Sequence, residues 1–253
     1  MTLLNNIFWL VLTMALLAWL QSRLHREVQL FFLLVTSRPR MAVVLFALVF
    51  FPGVLLHELS HYLTAKLLRV PTGRFSIFPK SVGDGRLQLG YVEVAATGPL
   101  RESLIGAAPL LAGSAFVAYA GLERLGLDTI WLALTQKGLG SGVDQLFSIF
   151  ERPDVWLWLY LALTVSSTMF PSSSDRQPML KTWIGFIILI GVILLFGAGY
   201  WLLDLVGPGL TRTLGAAAVI FGVSTGMHFL LLLPLSLIRL LLAEVLGVKV
   251  QTA

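Results

Sequence analysis

The most restrictive feature of this chain is an H-E-x-x-H motif, His57-Glu58-Leu59-Ser60-His61, inside a segment that is otherwise almost entirely apolar. Two histidines four residues apart lie on one face of a helix, one turn from each other, so both imidazoles can bind one metal ion. The glutamate between them reaches a water at the metal and acts as a general base. At membrane depth, ionisable side chains cost free energy unless they are paired, solvated or functional, which favours a metal site here. The alternative to a metal site is that the three polar residues only make hydrogen bonds within a helix bundle.

Composition defines the class of protein. The 253 residues are 57% hydrophobic and 12% charged, whereas a typical soluble domain is about 25% charged. We therefore expect an integral membrane protein whose first partner is the lipid bilayer. The absence of cysteine excludes disulfides and thiolate metal sites. The net charge of +5 is typical of basic cytoplasmic loops and predicts no nucleic-acid partner. The oligomeric state is not indicated.

Six segments are long and apolar enough to cross a bilayer, which takes about 20 mostly apolar residues. We predict an all-α polytopic fold with about six transmembrane helices, over residues 3–20, 41–65, 98–120, 155–172, 182–204 and 212–238. The first lacks the basic start and small-residue cleavage site of a signal peptide, so we interpret it as a retained span. The apolar stretch 28–35 is too short for a span. It either lies at the interface or extends an earlier helix.

The segment between the second and third spans, about 70–97, differs in composition from the apolar spans around it. Residues 74–78 and 86–94 have strand-like composition, and Gly83-Asp84-Gly85 is typical of a turn. This predicts a small β-hairpin-like loop associated with the membrane, where irregular backbone is tolerated if protein or water satisfies it. The alternative is a surface hairpin without a role.

Charge asymmetry predicts the orientation. Acidic residues outnumber basic ones in 121–154, whereas the hairpin region is rich in basic residues, namely Lys66, Arg69, Arg74, Lys80, Arg86 and Arg101. The positive-inside rule puts the hairpin and the end of the motif helix in the cytoplasm. We expect a multi-pass protein of a prokaryotic cell membrane with its site near the cytoplasmic face. One conflict with the positive-inside rule stays open. If a single span precedes residue 41, four basic residues would lie outside the cell, namely Arg23, Arg26, Arg38 and Arg40.

A catalytic zinc site takes three protein ligands and keeps one position open. The acidic residues near membrane depth are Glu58, Glu93, Glu102, Asp175, Asp204 and Glu244. Asp175 stands out because Pro171 and a run of serines break the helix after the fourth span. That break lets the carboxylate turn back toward the second span. The alternative is an aspartate that caps the next helix through its side chain.

Together these motifs resemble the site-2 protease family of intramembrane zinc metalloproteases. The resemblance consists of H-E-L-S-H in an early span, Gly98-Pro99 opening the next, and an aspartate at the end of the following one. It covers about residues 41–180, which correspond to the three-span catalytic core of that family. The chain departs from the family where Ser167 stands at a frequent asparagine and Arg176 at a frequent glycine. No inserted PDZ or CBS domain fits, so the chain resembles a compact member.

The resemblance implies a zinc metalloendopeptidase that hydrolyses a peptide bond in a transmembrane helix of a membrane-protein substrate, as in regulated intramembrane proteolysis. It implies Zn²⁺ ligands His57, His61 and Asp175, the base Glu58, and substrate contacts from Gly98, Pro99 and Ser167. Gly98 and Pro99 fit the start of a helix equally well. The expected organisation is an N-terminal span and interfacial segment (1–40), the core (41–180) and C-terminal spans (181–253).

Two other functions stay open. A divalent-metal transporter carries further ligands on a neighbouring helix, but the third span offers only Arg101 and Glu102 near its start. A catalytically inactive, protease-like membrane scaffold is disfavoured by the intact Glu58, although the unusual region around Asp175 keeps it open. Of the remaining histidines, His228 is predicted to be hydrogen-bonded inside the bundle and His25 to be interfacial.

Overall fold

The computed structural model describes residues 2–82, 86–195, 197 and 199–248, and most of them are helical. The helices are α1 (Leu3–Thr36), α2 (Pro39–Val49), α3 (Phe51–Leu67), α4 (Pro99–Tyr119), α5 (Leu127–Lys137), α6 (Leu139–Phe150), α7 (Val155–Ser166), α8 (Ser173–Leu195) and α9 (Gly199–Val245). A π-helical turn, Ala120–Arg124, extends α4. The predicted class, a mostly helical membrane protein, is confirmed.

Four helical segments of the described chain are long and apolar enough to cross a membrane, namely Leu3–Thr36, Pro99–Arg124, Ser173–Leu195 and Asp204–Val245. The pair formed by α2 and α3 makes a fifth if it is one broken span. Each of the six predicted spans overlaps at least one helix, but the span 182–204 is divided, because α8 ends at Leu195 and α9 begins at Gly199. Six crossings remain a prediction. The stretch 28–35 continues α1, which at 1.5 Å per residue is about 50 Å long.

The predicted span 41–65 is not one straight helix. Its two parts, α2 and α3, meet at Phe50 with a bend of 69°. Pro52 lies in the first turn of α3, where its missing N–H is tolerated at a helix start but not in a continuous interior. The bend makes the motif helix a separate element whose axis differs from that of α2.

Helix α7 is shorter than predicted. It has 12 residues and ends at Ser166, so it covers about 18 Å rather than a bilayer core of about 30 Å. Residues 167–172 are not helical. The carbonyl of Ser167 accepts a hydrogen bond from Gln21 of α1, and that of Thr168 accepts one from His57 of α3. These long-range partners replace the hydrogen bonds that another helical turn would make.

The predicted hairpin is present in an interrupted form. Strand β1 (Thr72–Ser76) pairs antiparallel with β4 (Tyr91–Val94), and β2 (Lys80–Val82) pairs antiparallel with β3 (Arg86–Gln88). Pro79, which has no N–H for a strand ladder, lies in the gap between β1 and β2. The predicted turn Gly83-Asp84-Gly85 lies outside the described residues. Segment 121–154, expected as a loop, contains α5 and α6.

The first and last helices form a parallel pair. The residue numbers of the contacts increase together along both helices, from Asn6 with Thr211, through Thr13 with Thr225, to Glu27 with Arg239. The core between this pair and the end of α7 contains the buried residues Leu17, Met169 and Phe221. Segment 167–172 is therefore held near the middle of α1, which positions the site described next.

Candidate metal centre

The motif helix packs tightly on α7 because a glycine precedes the motif by one turn. A Cβ on Gly53 would lie 2.1 Å from the carbonyl oxygen of Thr164, so no larger residue fits without moving a helix. Gly53, His57 and His61 succeed one another at four-residue intervals on α3. The close contact at Gly53 therefore brings the His57 ring to the C-terminal end of α7.

Each motif histidine is oriented by a backbone carbonyl. His57 Nδ1 lies 2.6 Å from the oxygen of Thr168, and His61 Nδ1 lies 2.8 Å from the oxygen of Ile105. A carbonyl only accepts hydrogen bonds, so both Nδ1 atoms donate and both neutral rings keep their lone pair on Nε2. Metal-ligating histidines have this arrangement as a rule, with the second nitrogen bonded to a carbonyl or carboxylate.

Asp175 caps the start of α8, and its position is also compatible with the predicted metal site. Its Oδ2 accepts from the backbone N–H of Ser172 at 2.8 Å and from the Ser172 hydroxyl at 2.5 Å. The Asp175 N–H lies 3.4 Å from the same hydroxyl oxygen, which completes a reciprocal capping box at the start of α8. The capped carboxylate also faces the two histidines. Capping here orients the carboxylate, so the two interpretations do not exclude each other.

Three donor atoms converge. The two Nε2 atoms lie 3.2 Å apart, and Asp175 Oδ2 lies 3.6 Å from Nε2 of His61 and 4.0 Å from Nε2 of His57. Ligand atoms about 2.0–2.2 Å from a tetrahedral zinc ion are separated by about 3.3–3.6 Å. Two imidazole lone pairs and a carboxylate oxygen repel one another unless a cation lies between them. The residues therefore fit a zinc ion, and within the described chain they form the one group that could hold a metal.

The motif glutamate lies in the same cavity as these three residues. The cavity has a volume of about 750 Å³, and its wall includes Glu58 and the segment from Leu89 to Ala96 except Glu93. Glu58 is buried and packs against Gly90, where a Cβ would lie 2.9 Å from Oε1. A carboxylate held beside the three convergent atoms is suited to move a proton there.

The residues assigned to substrate contact occupy different places. Ser167 lines the cavity and is fully buried, with its hydroxyl 2.7 Å from Nε2 of His228. Gly98 is the N-cap of α4 and Pro99 its first residue, both exposed and outside the cavity wall. Their helix-start role is therefore evident in the fold, whereas a contact of Gly98 or Pro99 with substrate stays a prediction.

The other two histidines also lie inside the protein. His228 is hydrogen-bonded within the bundle, as the sequence predicted. The ring of His25 packs edge-on against Phe46 and Phe50 of the α2 region and lines the cavity, while its position at the membrane interface stays a prediction. A buried ion pair joins Glu27 of α1 to Arg239 of α9. The sequence analysis did not predict this pair, because the two residues lie 212 positions apart and no local pattern links them.

Comparisons with known proteins give no relative. No family model matches the chain. A search of curated proteins finds no match, and a search of solved structures finds none either. The resemblance to site-2 proteases therefore stays a prediction made from the motifs.

Proposed function

We propose that this chain is an intramembrane zinc metalloprotease of the site-2 protease type, which hydrolyses a peptide bond in a transmembrane helix of another membrane protein. One observation carries the proposal. His57, His61 and Asp175 direct two lone pairs and a carboxylate oxygen at one point, in a cavity that also contains Glu58. A histidine–histidine–carboxylate set with a nearby glutamate is the arrangement of zinc peptidases.

The residues divide the chemistry between them. A bound zinc ion supplies Lewis acidity, which polarises a carbonyl and makes water a nucleophile near neutral pH. Glu58 takes the proton of the attacking water and delivers it to the leaving amine nitrogen. Thr168 and Ile105 hold the imidazole rings, so the ligand geometry is set before substrate enters.

A peptide bond in a helix is shielded, because its carbonyl is hydrogen-bonded within the helix. Cleavage therefore needs a locally unwound segment, and the strand beside the site supports this requirement. Strand β4 pairs with β1 on one edge, and among the described residues no strand covers its other edge. Residues of β4 line the cavity. An unwound substrate segment can add to such an edge by backbone hydrogen bonds.

Water must reach the metal, and the surroundings of α1 support a site near a membrane face. Gln21 lines the cavity and donates to the oxygen of Ser167. Beside it, the Arg23 guanidinium lies 5.5 Å from the ring centre of Trp19, which is 55% exposed. Exposed tryptophan and arginine side chains are typical of the membrane–water interface. The predicted cytoplasmic side remains part of this proposal.

The first test measures zinc in the detergent-purified full chain by elemental analysis. We expect about one zinc ion per chain in the wild type and in Glu58→Gln, and loss of zinc in His57→Ala and Asp175→Ala. Zinc lost from the histidine variant alone would mean that Asp175 is not a ligand. No zinc in the wild type after reconstitution would refute the metalloprotease.

The second test measures cleavage in proteoliposomes, with single-span test proteins in matched pairs. One member has an all-leucine span, and the other has the same span with a central Asn-Gly to weaken the helix. We expect the wild type to cut the weakened span and Glu58→Gln to cut neither. Zinc binding without any cleavage favours the inactive scaffold. Movement of zinc into the vesicles favours the metal transporter instead.

A further inference from the structure

Helix α9 contacts the turn beside the candidate metal centre through His228, a residue that the proposed chemistry does not use. His228 is completely buried, and both of its ring nitrogens have partners. Nδ1 lies 2.8 Å from the carbonyl oxygen of Ser224, one turn earlier on the same helix. Nε2 lies 2.7 Å from the hydroxyl of Ser167.

The partners fix the direction of both hydrogen bonds. The Ser224 carbonyl only accepts, so Nδ1 of His228 carries the proton and donates it. In the neutral ring Nε2 is then an acceptor, and the Ser167 hydroxyl donates to it. A charged ring in this position would be buried against a carbonyl and a hydroxyl, neither of which neutralises it. His228 thus holds Ser167 in one orientation.

Ser167 belongs to the turn that orients a metal ligand. The next residue along the chain is Thr168, whose carbonyl accepts from Nδ1 of His57 at 2.6 Å. On the other side of the turn, Gln21 of α1 donates to the Ser167 carbonyl at 2.5 Å. Because α7 ends at Ser166, no continuing helix fixes these two carbonyls, and contacts from other helices fix them instead.

We propose that His228 is a positioning residue for the metal ligand His57, acting through the Ser167 hydroxyl and the adjacent Thr168 carbonyl. The proposal rests on the metal centre of the proposed function. In this proposal, α9 stabilises the position of the Thr168 carbonyl that orients His57. Outer partners of metal-ligating histidines change metal affinity by roughly 10–100-fold when they are lost.

The test loads the full chain in detergent with Co²⁺ as the spectroscopic probe. It measures the visible absorption of the bound cobalt and its affinity in competition with a chelator. His228→Phe keeps the ring volume but removes both nitrogens, so we expect a shifted spectrum and roughly tenfold weaker binding. His228→Gln keeps an acceptor near the former Nε2, and we expect it to restore most of both properties.

Two further variants separate positioning from packing. Ser224→Ala is the matched control, because this residue is equally buried on the same helix and its hydroxyl bonds only to Ile220. We expect it to leave the cobalt spectrum unchanged. Ser167→Ala should weaken binding as His228→Phe does, and the double variant should be no worse than either single one, because they remove the same contact.

The outcomes distinguish this proposal from the one on which it rests. Folded His228→Phe with the spectrum and affinity of the wild type would overturn the positioning role and leave the metal centre intact. Should His228→Phe fail to fold, Ser167→Ala with an unchanged spectrum decides in the same way. A wild type that binds no Co²⁺ would overturn both, whereas metal binding without proteolysis would refute the protease alone.

Discussion

Glu58 and Gly90 are in such close contact that a single added carbon at Gly90 would overlap the glutamate. An ideal Cβ on Gly90 lies 2.7 Å from Cγ of Glu58 and 2.9 Å from its Oε1. Gly90 directly precedes β4, so the residue in contact with Glu58 is the neighbour in sequence of the strand proposed to receive substrate. The position of the proposed base and that of the proposed substrate-binding strand are thus coupled.

The first prediction concerns Gly90→Ala. The three heavy atoms nearest to the new methyl group all belong to Glu58, so the methyl group pushes this side chain from its position. A displacement of about 1 Å costs about 100-fold in rate. We expect kcat/KM for the weakened test span to fall by about that factor while the zinc content stays at the wild-type level.

The control for this variant is Gly185→Ala on α8, where an added Cβ meets nothing within 4 Å. It should cleave at the wild-type rate. If Gly90→Ala retained full activity with its zinc, Glu58 would either have room to adapt or not be the base.

The second prediction concerns Gly106→Ala. A Cβ at Gly106 lies 2.7 Å from the backbone oxygen of Asp175, and a backbone atom cannot rotate away as a side chain does. The helix of Gly106 also carries Ile105, which orients His61. Separation of α4 from α8 therefore disturbs two ligands at once, and we expect at least tenfold weaker zinc binding in chelator competition.

Gly226→Ala on α9 has open space around the new methyl group and serves as the control. Its zinc affinity should match that of the wild type. Equal zinc affinities for Gly106→Ala and Gly226→Ala would show that α4 and α8 separate without moving the ligands.

The third prediction concerns Ser172→Ala, which removes the hydroxyl that donates to Asp175 Oδ2. The carboxylate loses an orienting partner, so we expect roughly tenfold weaker zinc binding. Helix α8 loses its N-cap side chain, which costs about 1 kcal/mol of stability. Ser22→Ala, an exposed serine bonded only to its own helix, should change neither quantity. Unaltered zinc affinity in Ser172→Ala would mean that the backbone N–H alone orients Asp175.

The features of this site that depend on local residue spacing are predictable from the sequence. The interval between His57 and His61 fixes their common face on any helix. Pro171 and the serines after it predicted the helix break before Asp175, and the predicted capping role of Asp175 is present as a capping box with Ser172. The predicted bounds of the second span missed the bend because apolar composition continues across Pro52.

The remaining parts depend on contacts distant in sequence. The carbonyls of Thr168 and Ile105 orient the two histidines, but every residue has a carbonyl, so no side-chain pattern identifies these two. The early end of α7 follows from partners on α1 and α3. The same holds for His228, whose contact with Ser167 crosses 61 positions of the chain.

The last prediction concerns the buried ion pair of Glu27 and Arg239, whose side chains are 7% and 8% exposed. Glu27→Gln leaves the guanidinium buried without its counter-charge, which costs about 3–5 kcal/mol. We expect that loss in the free energy of unfolding, measured by titration with SDS in mixed micelles. The double variant Glu27→Leu with Arg239→Met removes both charges at similar volume and should recover most of the stability, because a well-packed apolar pair avoids the desolvation cost. Lys137→Gln, at an exposed position on α5, should leave stability unchanged. A double variant as unstable as Glu27→Gln would mean that the pair stabilises the contact of α1 with α9 by more than its desolvation costs.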